Sequence, residues 1–150
     1  MEKKQRELNN KGFSLIELIV VIAIMAILVG AIAPQVTKYI KRARVAQDQQ
    51  TLSTVYTAVT TGLADIAIEG KTTTGWDNTK TLDAQTGDLA NAVKAILSDT
   101  LDVTVKSDEG TAGNADGKIT VAIDSSNNVV VTAGTMKVTS KGYESTAGTK

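Results

Sequence analysis

The residues with the clearest chemistry lie near the start of the chain, where Lys11, Gly12, Phe13 and Ser14 are followed by Glu17. A small glycine between a basic residue and a bulky apolar residue gives a peptidase a flexible bond to cut. Cleavage between Gly12 and Phe13 would create a new α-amine on Phe13, one helical turn from the Glu17 carboxylate. These residues could therefore support proteolytic processing followed by an amine–carboxylate ion pair.

A long apolar segment follows these residues. Residues 18–33 contain no charged side chain, and the polar side chains between residues 13 and 33 are Ser14 and Glu17. At about 1.5 Å per residue, a helix over residues 13–33 is roughly 30 Å long, the thickness of the hydrocarbon core of a bilayer. Basic residues in the preceding segment predict that the N-terminus stays in the cytoplasm and that the remainder is exported. These basic residues are Lys3, Lys4, Arg6 and Lys11.

Residues 11–35 resemble the processing site of the type IV pilin family, which includes the pseudopilins and the competence pilins. The resemblance rests on Gly12, Phe13, Glu17 as fifth residue of the mature chain, and the long aliphatic run. It implies that residues 1–12 are a leader, that a prepilin peptidase cleaves after Gly12, and that Phe13 is then N-methylated. It also implies assembly by the pilus machinery into a homo-oligomeric helical filament, where Glu17 pairs with the Phe13 amine of a neighbouring subunit.

Two other interpretations of this stretch remain open. Ser14 and Glu17 have the spacing of a capping box, which satisfies free N–H groups at a helix start and is compatible with the pilin interpretation. Alternatively, residues 1–33 are a secretory signal, since residues 31–33 read Ala-Ile-Ala, like an A-x-A cleavage site. Pro34 would then follow the cut directly, which is unfavourable for signal peptidase, and a carboxylate within an apolar run by default suggests a function.

Gly30 and Pro34 are expected to weaken the N-terminal helix. A glycine costs about 1 kcal/mol in a helix interior and a proline about 3 kcal/mol, because the proline removes a hydrogen bond and clashes with the preceding turn. Pro34 also falls where many pilins have a helix-kinking proline. We expect a kink here, and loss of helicity when subunits leave the membrane and pack into a filament.

Beyond the apolar run, the spacing of apolar residues predicts that the helix continues. We expect a transmembrane and filament-core part over residues 13–34 and an amphipathic continuation over residues 35–68, with packing between subunits through about Leu52. One face of the continuation is apolar at helical spacing. Its members are Val45, Leu52, Val55, Tyr56, Val59, Leu63 and Ile66.

Residues 69–150 are expected to form a globular head. A short amphipathic helix is predicted at about residues 88–98, with Thr86 or Asp88 as its cap. From residue 101 to about residue 140 the apolar period becomes two, which predicts three or four antiparallel strands, the first over residues 101–105. Trp76 lies in the preceding linker, where it is expected to anchor the loop to the head. The predicted fold class is α+β, a long helix packed on a small antiparallel meander.

Composition argues against an enzyme. The chain has no cysteine and no histidine, so it can contain no disulfide, thiol nucleophile, Ser-His triad or imidazole metal site. No cofactor is indicated. From residue 45 onward, thirteen acidic and eight basic residues give a net charge of −5. An acidic head is not a nonspecific nucleic-acid surface, so no direct nucleic-acid binding is expected.

The loop over residues 108–117 is rich in oxygen ligands. Asp108, Glu109, Asn114 and Asp116 could contribute to a calcium site, as in some pseudopilins, although their spacing is not that of an EF-hand. We favour a solvated turn over a calcium site, because Asp-Gly pairs are common in turns.

The predicted function is that of a structural subunit of a type IV pilus. The precursor would lie in the cytoplasmic membrane, and the processed chain at the cell surface. One alternative is the major pseudopilin of a type II secretion or competence system. Another is a monomeric, membrane-anchored binding module, in which the long helix is only a stalk.

Overall fold

The computed structural model describes residues 13–98, 100–114 and 116–146. The expected leader over residues 1–12, with Gly12, therefore lies outside the described residues. The described part contains two helices, one short 3₁₀ helix and four strands, in the order α1, 3₁₀ helix, α2, β1, β2, β3, β4. Their bounds are α1 Leu15–Ile68, the 3₁₀ helix Leu82–Ala84, α2 Asp88–Ile96, β1 Thr120–Ile123, β2 Val129–Ala133, β3 Met136–Thr139 and β4 Gly142–Ser145.

Helix α1 is 54 residues long and contains Pro34 without interruption of the helix. The chain divides into two compact units between Tyr39 and Ile40, so α1 contributes to both. In the first unit, every residue from 13 to 39 is exposed. An 18-residue window of α1 has a mean hydropathy of 3.0 with none of its residues buried, which makes this helix long and apolar enough to cross a membrane.

In the second unit, one apolar core joins the rest of α1 to α2 and the sheet. Leu52, Val55 and Val59 of α1 are fully buried, and they share this core with Val93 of α2 and Val131 of β2. The α1 residues recur at intervals of three and four, so they lie on the same helix face. The apolar face predicted from sequence is therefore the face that packs on the second unit.

The four strands form an antiparallel meander in the order β1-β2-β3-β4. Val131 pairs with Val121 on one side and with Val138 on the other, which places apolar residues of three strands on the same face. Residues of β2 alternate between buried and half-buried, as expected for a sheet with one face on the core. The predicted α+β fold class, with a long helix packed on an antiparallel meander, is confirmed.

The strand expected over residues 101–105 is not formed. Leu101 and Val105 are buried, but the segment makes one isolated bridge, between Thr104 and Lys118. The edge of β1 that faces away from β2 is covered by the preceding loop. There the Asn78 side chain forms two hydrogen bonds with the Ile123 backbone, at 2.8 and 2.9 Å. The apolar period therefore reflected burial of alternate side chains, and the segment had no strand edge to pair with.

The fourth strand is β4, which the sequence did not indicate. Its residues are exposed except for Tyr143, which is half-buried, so it has no regular apolar alternation. Among the described strands it pairs with β3 alone, from Met136 opposite Ser145 to Thr139 opposite Gly142. Backbone pairing at a sheet edge needs little side-chain burial, and an apolar pattern is therefore a poor guide to such a strand.

Two expectations about the linker and α2 have different outcomes. Trp76 does anchor the loop, because it packs against the core and its indole N–H donates to the carbonyl oxygen of Val121 at 3.3 Å. The predicted cap of α2 is wrong. The N-cap residue is Gly87, with φ at 93°, and the Thr86 hydroxyl instead donates to the Gly75 carbonyl oxygen at 3.1 Å.

Candidate functional site

The start of α1 contains the predicted processing and assembly residues that the structure describes. The backbone N–H of Ser14 donates to Oε2 of Glu17 at 2.8 Å, and the helix begins at Leu15. Glu17 thus occupies the third helical position and satisfies a backbone donor just before the helix, as the carboxylate of a capping box does. The negative side chain also lies at the positive end of the helix dipole.

Phe13 and Glu17 are both exposed, and Glu17 has a hydrogen-bond partner in its own chain. The Phe13 side chain is 92% exposed, and Glu17 already accepts one hydrogen bond from its own chain. A carboxylate has about four lone-pair positions, so that bond leaves room for an ammonium group from another chain. The geometry therefore allows Glu17 to cap its own helix and bind an amine at the same time.

Gly30 and Pro34 affect the same backbone hydrogen bond. In an α-helix the N–H of residue 34 would donate to the carbonyl oxygen of residue 30, and proline has no N–H. A Cβ placed on Gly30 would meet nothing within 4 Å, so this part of α1 is also uncovered. The Thr37 hydroxyl donates to the neighbouring Ala33 carbonyl oxygen at 3.1 Å. The kink and the loss of helicity stay predictions.

The four calcium-ligand candidates do not converge. Nζ of Lys41 lies 2.9 Å from Oδ2 of Asp108, whereas Oε2 of Glu109 accepts the Tyr143 hydroxyl at 3.2 Å. The side-chain amide of Asn114 donates to the Lys118 carbonyl oxygen, and Asp116 is exposed. Among the described residues there is no group of three acidic side chains that could hold a metal ion.

The Lys41–Asp108 pair joins α1 to this loop at the surface. The pKa of Asp108 is held below its usual value of 3.8, first by the hydrogen bond from the Lys41 ammonium. The positive charge of Lys41 and the nearby charge of Arg44 act in the same direction. Both side chains of the pair are mostly exposed, so the pair contributes little to folding free energy.

Asp48 is a structural residue that was not predicted from the sequence. Its side chain is buried, with 3% of the residue exposed, and it accepts the Lys106 N–H at 2.9 and 3.0 Å and the Ser107 N–H at 2.6 Å. The carboxylate therefore fixes a loop of the second unit on α1. A sequence signal existed, because residue 48 lies three after Val45 and four before Leu52, within the apolar face.

Comparison with known proteins agrees with the arrangement at the start of α1. Residues 8–33 match the family model described as the prokaryotic N-terminal methylation motif. The chain is 33% identical over 124 residues to a type IV major fimbrial protein FimA of Dichelobacter nodosus, an alignment covering 83% of this chain and 71% of that protein. A second protein of that name from the same organism is 38% identical over 86 residues, covering 57% of this chain and 54% of the relative. The chain thus spans about half of this second relative. No solved structure matches the chain.

Three features together define a pilin, which is a structural filament subunit. They are the exposed apolar helix, the N-terminal methylation motif, and the antiparallel meander packed on the rest of that helix. The chain belongs to the type IV pilin family. The pseudopilin and anchored-module alternatives are not favoured by the relatives that it matches.

Proposed function

We propose that this pilin is made as a membrane precursor, cut between Gly12 and Phe13 by a prepilin peptidase, N-methylated on Phe13 and assembled into a type IV pilus. The observation that carries the proposal is the first unit, in which Phe13 precedes α1, Glu17 lies in its first turn, and every residue from 13 to 39 is exposed. Burying one such side chain is worth about 1.5–3 kcal/mol, so this surface needs lipid or other helices around it.

The apolar surface of the helix would be covered by different partners in the precursor and in the mature subunit. Before processing, lipid would cover residues 15–33, and the cytoplasmic membrane is the proposed location of the precursor. After processing, the pilus assembly machinery would transfer the chain to a filament at the cell surface, where copies of the same helix replace lipid. The weakened segment around Gly30 and Pro34 would lose helicity during this transfer, because its backbone lacks one hydrogen bond already.

Glu17 would set the register of the packed helices. An unpaired carboxylate in an apolar environment costs several kcal/mol, and pairing with the Phe13 amine of a neighbour removes much of that cost. Subunits displaced from the correct register would leave this charge unpaired, so assembly would select the correct neighbour. The proposed role is structural throughout, and it requires no catalytic residue, cofactor or nucleic-acid contact in this chain.

Processing is tested by the mass of the N-terminal peptide of the chain recovered from cells. A peptide beginning with N-methylated Phe13 is expected. A peptide beginning at Pro34 would indicate a secretory signal instead, and an uncut Met1 in filaments would contradict the proposed processing.

The role of Glu17 is tested by comparing Glu17→Ala with Glu17→Gln. Glutamine can still accept the Ser14 N–H in a capping box, whereas it cannot form an ion pair with an amine. If the charge sets the register, both variants should be exported and cleaved but enter sheared filaments poorly. Filament yield that is normal in Glu17→Gln and low in Glu17→Ala would mean that Glu17 acts as a helix cap alone.

A further inference from the structure

Within the second unit, the two ends of its α1 segment have opposite charge. Near the start of the segment lies a shallow groove of about 450 Å³. It is lined by Lys41, Arg42, Arg44, Val45, Ala46, Gln49, Ser107, Asp108 and Glu109. Its three basic side chains outnumber its two carboxylates, of which Asp108 pairs with Lys41 and Glu109 accepts the Tyr143 hydroxyl. We call this the basic groove. Arg42 and Arg44 are exposed, and neither forms an ion pair with a described residue.

The other end of the segment is acidic and apolar. Asp65, Ile68 and Glu69 are exposed at the end of α1, and Ile68 is 84% exposed. We call these three residues the acidic helix end. Glu69 forms an ion pair with Lys71 at 2.6 Å, whereas Asp65 forms none with a described residue.

The helix dipole adds to this negative charge. The last turn of α1 contains no basic residue, so nothing in that turn offsets the partial negative charge of the helix C-terminus. The backbone itself ends normally, because Gly70 has φ at 69° and the Lys71 N–H donates to the Ile66 carbonyl oxygen at 2.8 Å. The chain thus satisfies the hydrogen bonds of this end, and Lys71 pairs with Glu69, whereas Asp65 has no ion partner among the described residues.

We propose that the acidic helix end of one subunit docks in the basic groove of a second copy of this chain. Asp65 and Glu69 would approach Arg42 and Arg44, while Ile68 would pack on the aliphatic part of the groove. The charges are complementary, and Ile68 would leave water in the same step. The inference rests on the proposed filament function and names the contact that would link neighbouring subunits outside the apolar helices.

The two surfaces differ, which determines the kind of assembly. A contact between different surfaces of identical subunits is heterologous, and it produces an open filament when the rotation between subunits does not close a ring. Arg44 and Asp65 are 21 residues apart in α1, a distance of about 32 Å along the helix axis. Contacting subunits should therefore be offset by about that distance along α1.

A charge swap tests the pairing in full-length chains in cells. Arg42→Glu with Arg44→Glu, or Asp65→Arg with Glu69→Arg, should each lower the yield of sheared filaments by about tenfold, because like charges would then face each other. Combining all four substitutions should restore most of the yield. Lys141→Glu, an exposed lysine on the turn before β4, is the matched control and should have little effect.

Failure of the four-residue combination to restore filaments would overturn the pairing. If the Arg42→Glu and Arg44→Glu substitutions also reduced retention of the precursor in the membrane, the groove would instead bind lipid headgroups. Normal filaments from either reversed pair would overturn the proposal as well.

Cross-linking gives a second measurement that does not depend on filament yield. The chain has no cysteine, so a chain carrying Arg44→Cys and Asp65→Cys has only these two thiols. Mild oxidation of its filaments should produce a ladder of dimers, trimers and longer species, whereas Lys141→Cys with Asp65→Cys should not. Filaments without a ladder would overturn the docking and leave the proposed function intact. A parent chain that is never cleaved after Gly12 and never assembles would overturn both.

Discussion

Replacing Asp48 by alanine tests how the loop at residues 105–110 is held on α1. In the parent chain the Asp48 carboxylate accepts the backbone N–H groups of Lys106 and Ser107 in a buried site. Alanine leaves both donors without that acceptor. An unsatisfied buried donor costs about 1–3 kcal/mol. The Ser107 N–H is buried and the Lys106 N–H part-buried, so the two losses together should lower the free energy of unfolding by roughly 2–5 kcal/mol, less than twice the upper value.

The expected change is large enough for thermal unfolding of the full chain in detergent micelles. For a unit of about 110 residues, 1 kcal/mol corresponds to roughly 4 °C, so the melting temperature should fall by roughly 8–20 °C. Asp48→Asn keeps one acceptor oxygen and should lose less. Hydrogen exchange at the Lys106 and Ser107 amides should accelerate in Asp48→Ala before global unfolding.

Asp65→Ala is the matched control, because Asp65 is an exposed aspartate on the same helix with no ion pair to a described residue. It should change the stability of the isolated subunit by less than about 0.5 kcal/mol. Equal melting temperatures for Asp48→Ala and Asp65→Ala would show that the Asp48 carboxylate does not hold the loop.

Three further predictions concern stability. Gly134→Ala should lower the free energy of unfolding by about 2–4 kcal/mol, since φ at Gly134 is 58° and a Cβ would overlap the carbonyl oxygen of a facing loop. Gly142 has φ at 106° and open space around it, so Gly142→Ala should lower the free energy of unfolding by about 1–2 kcal/mol in the same denaturant titration. Equal losses would contradict the steric argument. Leu52→Ala, in a fully buried position, should cost about 2–5 kcal/mol by thermal unfolding, and a loss below about 1 kcal/mol would exclude Leu52 from the core. The Lys118 ammonium lowers the pKa of Asp83 below its usual 3.8, so their pair should stabilise the fold above that pH and lose its effect as pH falls through the lowered pKa. Asp83→Asn should therefore be less stable than the parent at pH 7 and match it in strong acid, and a stability difference that does not change with pH would refute the assignment.

Much of the fold was predictable because its pattern is local. The apolar residues at 52, 55, 59 and 66 have helical spacing, and these residues do pack on the core of the second unit. The strand prediction at residues 101–105 failed for a nonlocal reason. Its alternation recorded burial correctly, but Asn78 had already occupied the edge of β1 where that strand would have paired.

The proposed processing and assembly residues could be identified from the linear chain. Phe13, Glu17 and the apolar run were recognised by spacings of a few residues and by hydropathy, and both are properties of the sequence. Tertiary structure alone decided which polar groups meet. Asp48 finds its backbone partners 58 and 59 residues away, and Arg44 and Asp65 are left without ion partners in the described chain. Such pairings depend on which edges and donors remain free after the core has formed, and hydropathy does not encode that choice.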